Sequence, residues 1–385
     1  MKRLLFGFLL AAVAGCSPER PEAVSQRAES AYASGHYGRA ISSYEQLLAL
    51  TGENAATYYN LALSSLAAQD TAAARRAAEQ SLKLAPEGVI ADGCQEILGM
   101  AAEAVKEPQV AVGHYRKALQ SSDTALRVRV CSRLARIYAE QKRPDAALAL
   151  LLMASNLAPQ GDMTLYGMTL FNLGKLCVDE PLRMYQEALD SFAMAERVLP
   201  ENSPQAKEAR NRVKQLEQHL ARLNQVPPSP RNAKACREAM KNLREAKLKK
   251  RWRTAEEAAE KAAKADPSSF EAALEWARMC VQNNHRDKAL KAYEQAIMRK
   301  SNDVEARHEA ARLACDLKDY EAAARFLRPA VVNQRRNIAL VDRMTRIVAA
   351  RKQPADARLW GEYYLSLDEK ATEGYRKWVE GLPEK

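Results

Sequence analysis

The stretch that decides the fold is DKALKAYEQAI, residues 287–297, because its pattern returns along most of the chain. Eight further segments align with it and place an alanine at the same position. The nine alanines are Ala40, Ala74, Ala111, Ala147, Ala188, Ala255, Ala289, Ala323 and Ala357. The last four follow one another at intervals of 34 residues. A fixed period of this size indicates stacked structural repeats rather than one compact core.

This pattern resembles the tetratricopeptide-repeat (TPR) family, in which each repeat consists of two antiparallel helices, A and B. In that family a small residue near the eighth position of helix A packs against the alanine of helix B. The small residues here are Ala28, Ala62, Gly99, Ala135, Gly174, Ala277 and Ala311. Leu243 and Thr345 depart from the pattern. The resemblance covers residues 21–368 and implies an all-α fold: a superhelical solenoid of about nine helix-turn-helix repeats, one degenerate unit and a capping helix.

Composition and helix-ending residues agree with this interpretation. The chain has only 15 glycines and few aromatic residues, which favours helices over sheet. The family's aromatic position in helix B is filled in four repeats, by Tyr44, Tyr115, Phe192 and Tyr293. Prolines expected to end a repeat are Pro86, Pro159, Pro200 and Pro267. Helix boundaries can therefore be placed from the sequence.

One interval is irregular, because 67 residues separate Ala188 from Ala255. A helical pattern over residues 203–224 precedes the segment QVPPSP, residues 225–230, which cannot be helical. We therefore predict the following organisation: an N-terminal array of about five repeats at 21–200, a long helix with a proline-rich strap at 201–232, a basic C-terminal array of about four repeats at 233–368, and a cap at 369–385. The strap is either a hinge or a rigid splice, and the pattern leaves both open.

The first residues have the character of a secretory signal. Lys2 and Arg3 precede an apolar run at 4–13, which is too short to cross a bilayer core of about 30 Å. The run ends in VAGC, with Cys16 last, which resembles the lipobox of bacterial lipoproteins. That resemblance implies removal of residues 1–15 and a lipid on the Cys16 thiol. The alternative is an ordinary signal peptide with an accidental cysteine.

Lipidation would make residues 16–20 a membrane tether, because two or three acyl chains such as palmitate anchor stably where one does not. Ser17 follows the cysteine, and the sorting rule of enteric bacteria then favours the outer membrane. We expect a protein of the cell envelope that faces the periplasm, with the inner membrane and the cell surface as alternatives. The remaining cysteines are expected to be buried thiols, and only Cys280 and Cys315, one repeat apart, are candidates for a pair.

Positive charge is concentrated in the C-terminal half. Residues 225–385 hold 34 basic and 24 acidic side chains, whereas residues 16–224 hold 23 and 24. The position after the small helix A residue is cationic in seven successive units, which we call the cation ladder: Arg136, Lys175, Arg210, Arg244, Arg278, Arg312 and Arg346. The first three repeats have Glu29, Leu63 and Met100 there. In the TPR family this position faces the concave groove, so the ladder is a candidate partner-binding surface.

The alternative for the ladder is local pairing, because Glu275 precedes Arg278 by three residues and Glu309 precedes Arg312 by three. If the ladder binds, an extended or acidic segment of an envelope protein fits it, since guanidinium groups hold carboxylates with two hydrogen bonds. We expect a scaffold for outer-membrane, secretion or pilus assembly. The alternative function is a peptidoglycan-binding or cell-wall-regulating lipoprotein acting through its basic half. Nucleic acid has the right charge but the wrong compartment.

The sequence contains none of the usual catalytic motifs: no HExxH, no GxSxG and no phosphate-binding glycine loop. The five histidines fall in different units, at His36, His114, His219, His285 and His308. We therefore predict no enzymatic activity, no catalytic residue, no cofactor and no metal site.

Overall fold

A computed structural model describes residues 20–158, 162–223 and 232–383. Within these ranges the chain forms twenty α-helices and no strand. The chain divides into two compact units, the first ending at Ser122 and the second beginning at Asp123. The signal segment, Cys16 and most of the strap lie outside the described residues, and their assignments stay predictions.

The first unit contains three helix pairs, each formed by consecutive antiparallel helices that pack on one another. Its helices are α1 (Pro21–Ala33), α2 (Tyr37–Thr51), α3 (Ala55–Ala67), α4 (Thr71–Leu84), α5 (Val89–Ala104) and α6 (Pro108–Ala118).

The second unit contains six further pairs, one single helix and a terminal helix. Its helices are α7 (Thr124–Glu140), α8 (Pro144–Leu157), α9 (Met163–Val178), α10 (Tyr185–Val198), α11 (Pro204–Leu223), α12 (Ala233–Leu248), α13 (Trp252–Ala265), α14 (Phe270–Gln282), α15 (Arg286–Arg299), α16 (Val304–Asp316), α17 (Tyr320–Asn333), α18 (Ile338–Ala350), α19 (Pro354–Leu367) and α20 (Glu373–Glu380). The single helix α11 packs on α10, and α20 packs on α19. Nine pairs, a lone long helix and a cap confirm the predicted fold class.

The repeated alanine has the same structural place in all nine pairs. It is the fourth residue of every helix B, and its side chain is completely buried each time. The partner position in helix A is equally restricted: a Cβ added to Gly99 would lie 2.4 Å from the Tyr115 ring, and one added to Gly174 would lie 2.9 Å from the Phe192 ring. Small residues are needed there because the helix axes approach closely at this crossing.

The turn between helices A and B also repeats. The residue two positions before each helix B has a positive φ; it is glycine only in the first pair, at Gly35. Elsewhere longer side chains take this left-handed conformation, as Lys142 and Lys318 do with φ of 60° and 59°. In several turns the next amide bonds back to helix A, as His285 N donates to Cys280 O at 2.8 Å. The motif satisfies carbonyls at the helix end and reverses the chain in three residues, except between α9 and α10, where six residues separate the helices.

The starts of the A helices are fixed by side-chain caps. In the second unit Asp123, Ser269, Asp303 and Asn337 each accept a hydrogen bond from a backbone N–H in the first turn of the following helix. Such caps satisfy amides that have no partner within the helix. Pro86, Pro200 and Pro267 lie beyond helix ends, as predicted, whereas Pro159 lies outside the described residues.

The second unit is organised in two rows that pack against each other. The first row comprises α7 to α11, and the second row comprises α12 to α19. Helix α8 of the first row packs on α19 of the second, and α10 contacts α17. All four are B helices, so these contacts between the rows are made by B helices. Residues 145–155 of α8 are all buried, as expected for a helix enclosed by neighbours on every side.

Buried charges cross the boundary between the two rows. Asp145 of α8 accepts hydrogen bonds from Arg328 Nε at 2.7 Å and Nη2 at 2.9 Å, and it also pairs with Arg351. Burial alone would raise the pKa of Asp145, but the hydrogen bonds and charges of the two arginines hold it below its usual value. Nearby, Arg143 donates to Asp356 at 2.8 Å. Burial raises the pKa of Asp356 despite this arginine.

Polar contacts continue along the same boundary. The side-chain amide of Asn156 donates to the Tyr363 hydroxyl at 2.7 Å, and Asn333 donates to Glu187 at 3.3 Å. Burial raises the pKa of Glu187, against the opposing charge of Arg307. The boundary therefore combines apolar packing with specific ion pairs and hydrogen bonds.

The C-terminal cap is built as predicted. Val379 of α20 is buried against Gly361, where a Cβ would come within 2.6 Å of the valine side chain. The Tyr375 ring lies 4.4 Å from the Tyr364 ring and 5.3 Å from that of Trp378. These aromatic side chains cover the last repeat, which a terminal repeat requires.

The six cysteines of the described residues are free thiols, five of them buried and Cys315 half-buried. Cys280 donates through Sγ to Glu256 at 3.6 Å.

Candidate binding face

The structure divides the cation ladder between the two rows. Arg136, Lys175 and Arg210 lie on α7, α9 and α11 of the first row. Arg244, Arg278, Arg312 and Arg346 lie on α12, α14, α16 and α18 of the second. The two groups therefore belong to different rows of helices.

In the second row two ladder arginines, Arg244 and Arg278, pair with acids on the next A helix. Arg244 lies 3.8 Å from Glu271, and Arg278 lies 3.0 Å from Glu305 and 2.8 Å from Glu309. These glutamates stand seven and three residues before the ladder position of the following helix. Lys247 adds a pair with Glu275 at 2.7 Å. We call this set, from α12 to α16, the ion-pair zipper.

The local-pairing alternative holds for one arginine and is wrong for its neighbour. Arg278 lies 3.7 Å from Glu275 on its own helix, as the spacing predicts. Glu309 does not pair with Arg312; it accepts hydrogen bonds from Arg278 Nε at 3.1 Å and from the Tyr293 hydroxyl at 2.9 Å. Burial and the Glu309 charge both raise the pKa of Tyr293. Contacts between repeats thus outweigh the pair within one helix.

The first row lacks the acids that form the zipper. On α9 the equivalent positions are Met168 and Asn172, neither of them acidic. Arg136 pairs with Glu140 on its own helix at 3.0 Å. Lys175 lies over the Phe171 ring at 5.8 Å and has no ion-pair partner within the described ranges. On α11, Arg210 pairs with Glu196 of α10 at 2.6 Å.

A cavity of about 570 Å³ opens between α7 and α9 of this row. Its basic lining comes from Arg133, Arg136 and Lys175, and its acidic lining comes from Glu140 and Asp179. Apolar and amide groups complete the wall, including Ala135, Ala139, Leu151, Leu176 and Asn172. A mostly apolar pocket with a few convergent polar groups is typical of a ligand site.

The ladder position of α18 and those of the first unit differ from both of these arrangements. Arg346 pairs with Asp342 on the same helix at 3.0 Å, and both the pKa of Arg346 and that of the nearby Tyr364 are raised. The hydrogen bond to Asp342 is the main cause for Arg346, and burial is the main cause for Tyr364. In the first unit Leu63 and Met100 are half-buried. The ladder is thus cationic only in the second unit.

The described residues contain neither a metal-binding cluster nor a membrane-spanning helix. Across residues 20–158, 162–223 and 232–383, no group of three or more His, Cys, Asp or Glu side chains is arranged to hold a metal ion. In the same ranges no helix combines the length and the hydropathy that a transmembrane span needs.

Comparison with known proteins finds one family and several solved structures. Residues 25–89 match the family model described as tetratricopeptide repeat. No curated protein matches the chain. A thermophilic TPR protein of Thermus thermophilus, TTC0263, is 18% identical with a TM-score of 0.40 over 52% of this chain and 100% of its own.

Two further structures show weaker likeness. The pilF protein of Pseudomonas aeruginosa is 19% identical, with a TM-score of 0.29 over 71% of this chain and 88% of its own. YrrB, described as a TPR protein with an unusual peptide-binding site, is 16% identical, with a TM-score of 0.32 over 69% and 96%. The described chain is an all-helical array of antiparallel helix pairs, and its residues 25–89 match the tetratricopeptide-repeat family model.

Proposed function

We propose that this protein is a non-enzymatic scaffold that binds an extended segment of a partner protein on the first row of its second unit. The observation that carries the proposal is the cavity between α7 and α9, where ladder cations border an apolar wall. Its volume of about 570 Å³ lies within the usual range of ligand pockets. Rigid helices on both sides supply a preformed surface of the kind that repeat proteins use for binding.

The lining fits a peptide better than a uniform polyanion. Asn172 has a side-chain amide that can both donate to and accept from a peptide backbone. Arg136 and Lys175 suit acidic groups of the bound segment, whereas Glu140 and Asp179 would repel a continuous row of anions. Leu151 and Leu176 offer apolar contact area. A segment of mixed character satisfies all of these groups.

The proposed location follows from the first residues. A lipid on Cys16 would hold the protein at a membrane of the cell envelope, with outer-membrane attachment and a periplasmic position favoured by Ser17. Tethering raises the local concentration of the binding face near membrane-associated partners. Outer-membrane, secretion or pilus assembly are the systems in which such a scaffold would serve.

The alternative is peptidoglycan binding through the basic C-terminal half. Its net positive charge favours a polyanion. The ion-pair zipper weakens this alternative, because Arg244 and Arg278 already face carboxylates of the protein. Sedimentation of the full chain with isolated peptidoglycan, at low and high salt, decides it: salt-sensitive cosedimentation would support wall binding.

The experiment for the scaffold function is a crosslinked pull-down from envelope membranes. The substitution Asn172→Glu places a carboxylate where the second row has Glu275 and Glu309, and it should neutralise Arg136 and block the cavity. Lys175→Gln removes the cavity cation that has no ion pair among the described residues. We expect both variants to lose a defined partner protein while retaining their helical content.

The matched control is Arg346→Gln, which removes a ladder cation that is already paired on the second row. It should keep the partner. A partner set that is the same for wild type, Asn172→Glu and Lys175→Gln would refute binding at this cavity.

A further inference from the structure

The ion-pair zipper ends before the second row does. Arg244 pairs with the acid seven residues before the following ladder position, and Arg278 pairs with the acids seven and three residues before it. For Arg312 the equivalent positions on α18 are Ala339 and Arg343. At this step Ala339 stands where the zipper has an acid, and Arg343 places a second cation where it has the other acid.

The resulting cations are left without acidic partners. Neither Arg312, which is exposed, nor Arg343, which is half-buried, forms an ion pair with any residue that the structure describes. The nearest acid in the repeat pattern, Glu309, is occupied by Arg278 and Tyr293. On the same row Arg346 is paired with Asp342. The absence of partners is thus local to the step between α16 and α18.

His308 belongs to the same group of side chains. It precedes Arg312 by four residues, one helical turn, so both side chains lie on one face of α16. Its Nε2 atom is buried and has no hydrogen-bond partner among the described residues. Burial lowers the pKa of His308, and the charges of Arg343 and Arg312 lower it further, whereas Glu309 opposes them. Arg343 also acts on the Cys315 thiol, beside Asp316.

We propose that Arg312, Arg343 and His308 form an oxyanion-binding site that takes a single carboxylate or phosphate group. Two guanidinium groups supply donors in planar geometry, and the unpartnered imidazole nitrogen supplies a third. The bound group replaces the carboxylate that Glu309 provides one repeat earlier. Helices α16 and α18 fix the backbone positions of the three residues, and the covered Nε2 atom of His308 reaches the ligand after its ring turns outward.

This site goes beyond the proposed function, because it lies on the second row and needs no ligand in the α7–α9 cavity. Its occupation is linked to pH. An anion stabilises the protonated imidazole, so binding should raise the pKa of His308, and affinity should increase as pH falls through that pKa.

The test follows the histidine resonances of the full chain, labelled with ¹³C at Cε1 and held in detergent. Two probes are titrated: inorganic phosphate, and acetyl-tetraglutamate amide with the tetraglutamine peptide as its neutral match. We expect the His308 titration to move to higher pH with phosphate, with the glutamate peptide or with both. His285, whose Nδ1 lies 2.8 Å from Glu256, should not respond.

The decisive variant is Arg343→Glu, which restores the acid of the zipper and gives Arg312 an internal partner. It should weaken probe binding about tenfold or more without lowering thermal stability, because one charged hydrogen-bond partner is lost and an ion pair is gained. Arg312→Gln is the second variant, with the same expected loss. A response to phosphate alone, or to the peptide alone, identifies which oxyanion is preferred.

The proposal is overturned if the His308 resonance responds to neither probe, or if Arg343→Glu responds as the wild type does. A failure of this site leaves the cavity at Asn172 and Lys175 unaffected, so the two binding hypotheses are tested separately.

Discussion

Helices α7 and α9 of the first row and helices α14 and α16 of the second present ladder cations from the same position of helix A. In the second row Arg278 meets two glutamates of the next helix, and its charge is used within the protein. In the first row the next helix offers Met168 and Asn172, and a cavity opens beside Arg136. The ladder residue itself is therefore a poor guide to binding. The residues on the next A helix, seven and three positions before that helix's own ladder position, determine whether the cation is paired within the protein.

The largest expected effect concerns the boundary that holds the two rows together. Asp145→Ala should lower the free energy of unfolding by about 3–5 kcal/mol, because Arg328, which is 4% exposed, loses its buried partner and keeps only the exposed Glu321 at 3.7 Å. Urea denaturation of the full chain measures it. Asp342→Ala, which breaks an exposed pair on α18, should cost about 1 kcal/mol or less. Similar costs for both would contradict a structural role for the buried cluster.

The same carboxylate should make stability sensitive to acid. The pKa of Asp145 is lower in the folded state than its ordinary value of about 3.9, so its contribution is complete above that value. The contribution is lost as pH falls through the folded-state pKa. The difference in unfolding free energy between wild type and Asp145→Ala should therefore shrink from pH 6 towards pH 2. A difference that stays constant over this range would show that Asp145 does not act through its charge.

A smaller loss of unfolding free energy should follow when an acid of the second row is replaced by an amide, the group that Asn172 provides in the first row. Glu309→Gln weakens the hydrogen bonds from Arg278 and Tyr293, and it should cost about 1–2 kcal/mol. The matched change Glu271→Gln, at a pair that is 3.8 Å long and largely exposed, should cost less than about 0.5 kcal/mol. Equal values in thermal unfolding would mean that the zipper contributes no more than a solvated surface pair.

The smallest effect tests what the two rows share. Lys142 and Lys318 have the same left-handed turn conformation, which costs a non-glycine residue about 1–2 kcal/mol. Glycine removes this cost but adds disorder to the unfolded chain, so Lys142→Gly and Lys318→Gly should each stabilise by about 0.5–1 kcal/mol. Paired unfolding curves should show the same gain in both rows. A gain in only one row would mean that the turns are not equivalent.

Most of the architecture could be predicted from one residue type. The nine alanines are all fully buried in helix B, because any larger side chain would hold the two helices of a pair apart. The long helix before the strap was predicted at residues 203–224 and is observed as Pro204–Leu223. Period and helix length are local properties, and the sequence states them directly.

Pairing between rows could not be predicted from the period, since it joins Asp145 to Arg328, 183 residues away. One local signal was available: α8 contains the run AALALLLMA at 146–154, with no polar face. A helix that is apolar on every side must be enclosed, and its only acid then needs a buried partner. The ladder's partners were also readable, because Glu271, Glu275, Glu305 and Glu309 recur at the same 34-residue interval. The three-residue spacing within one helix predicted a pair of Glu309 with Arg312, whereas Glu309 pairs with Arg278 of the preceding A helix.

The contact of α8 with α19 has a consequence for how the second unit folds and unfolds. A repeat array with neighbour contacts alone can melt from its ends, one repeat after another. Here helices α8 and α19, which are about 200 residues apart in sequence, stabilise one another. Closure of so long a loop slows folding, and it makes the terminal repeats of the unit as slow to open as the central ones. Amide hydrogen exchange should accordingly find protection that is nearly uniform from α8 to α19, so that the unit behaves as one cooperative body.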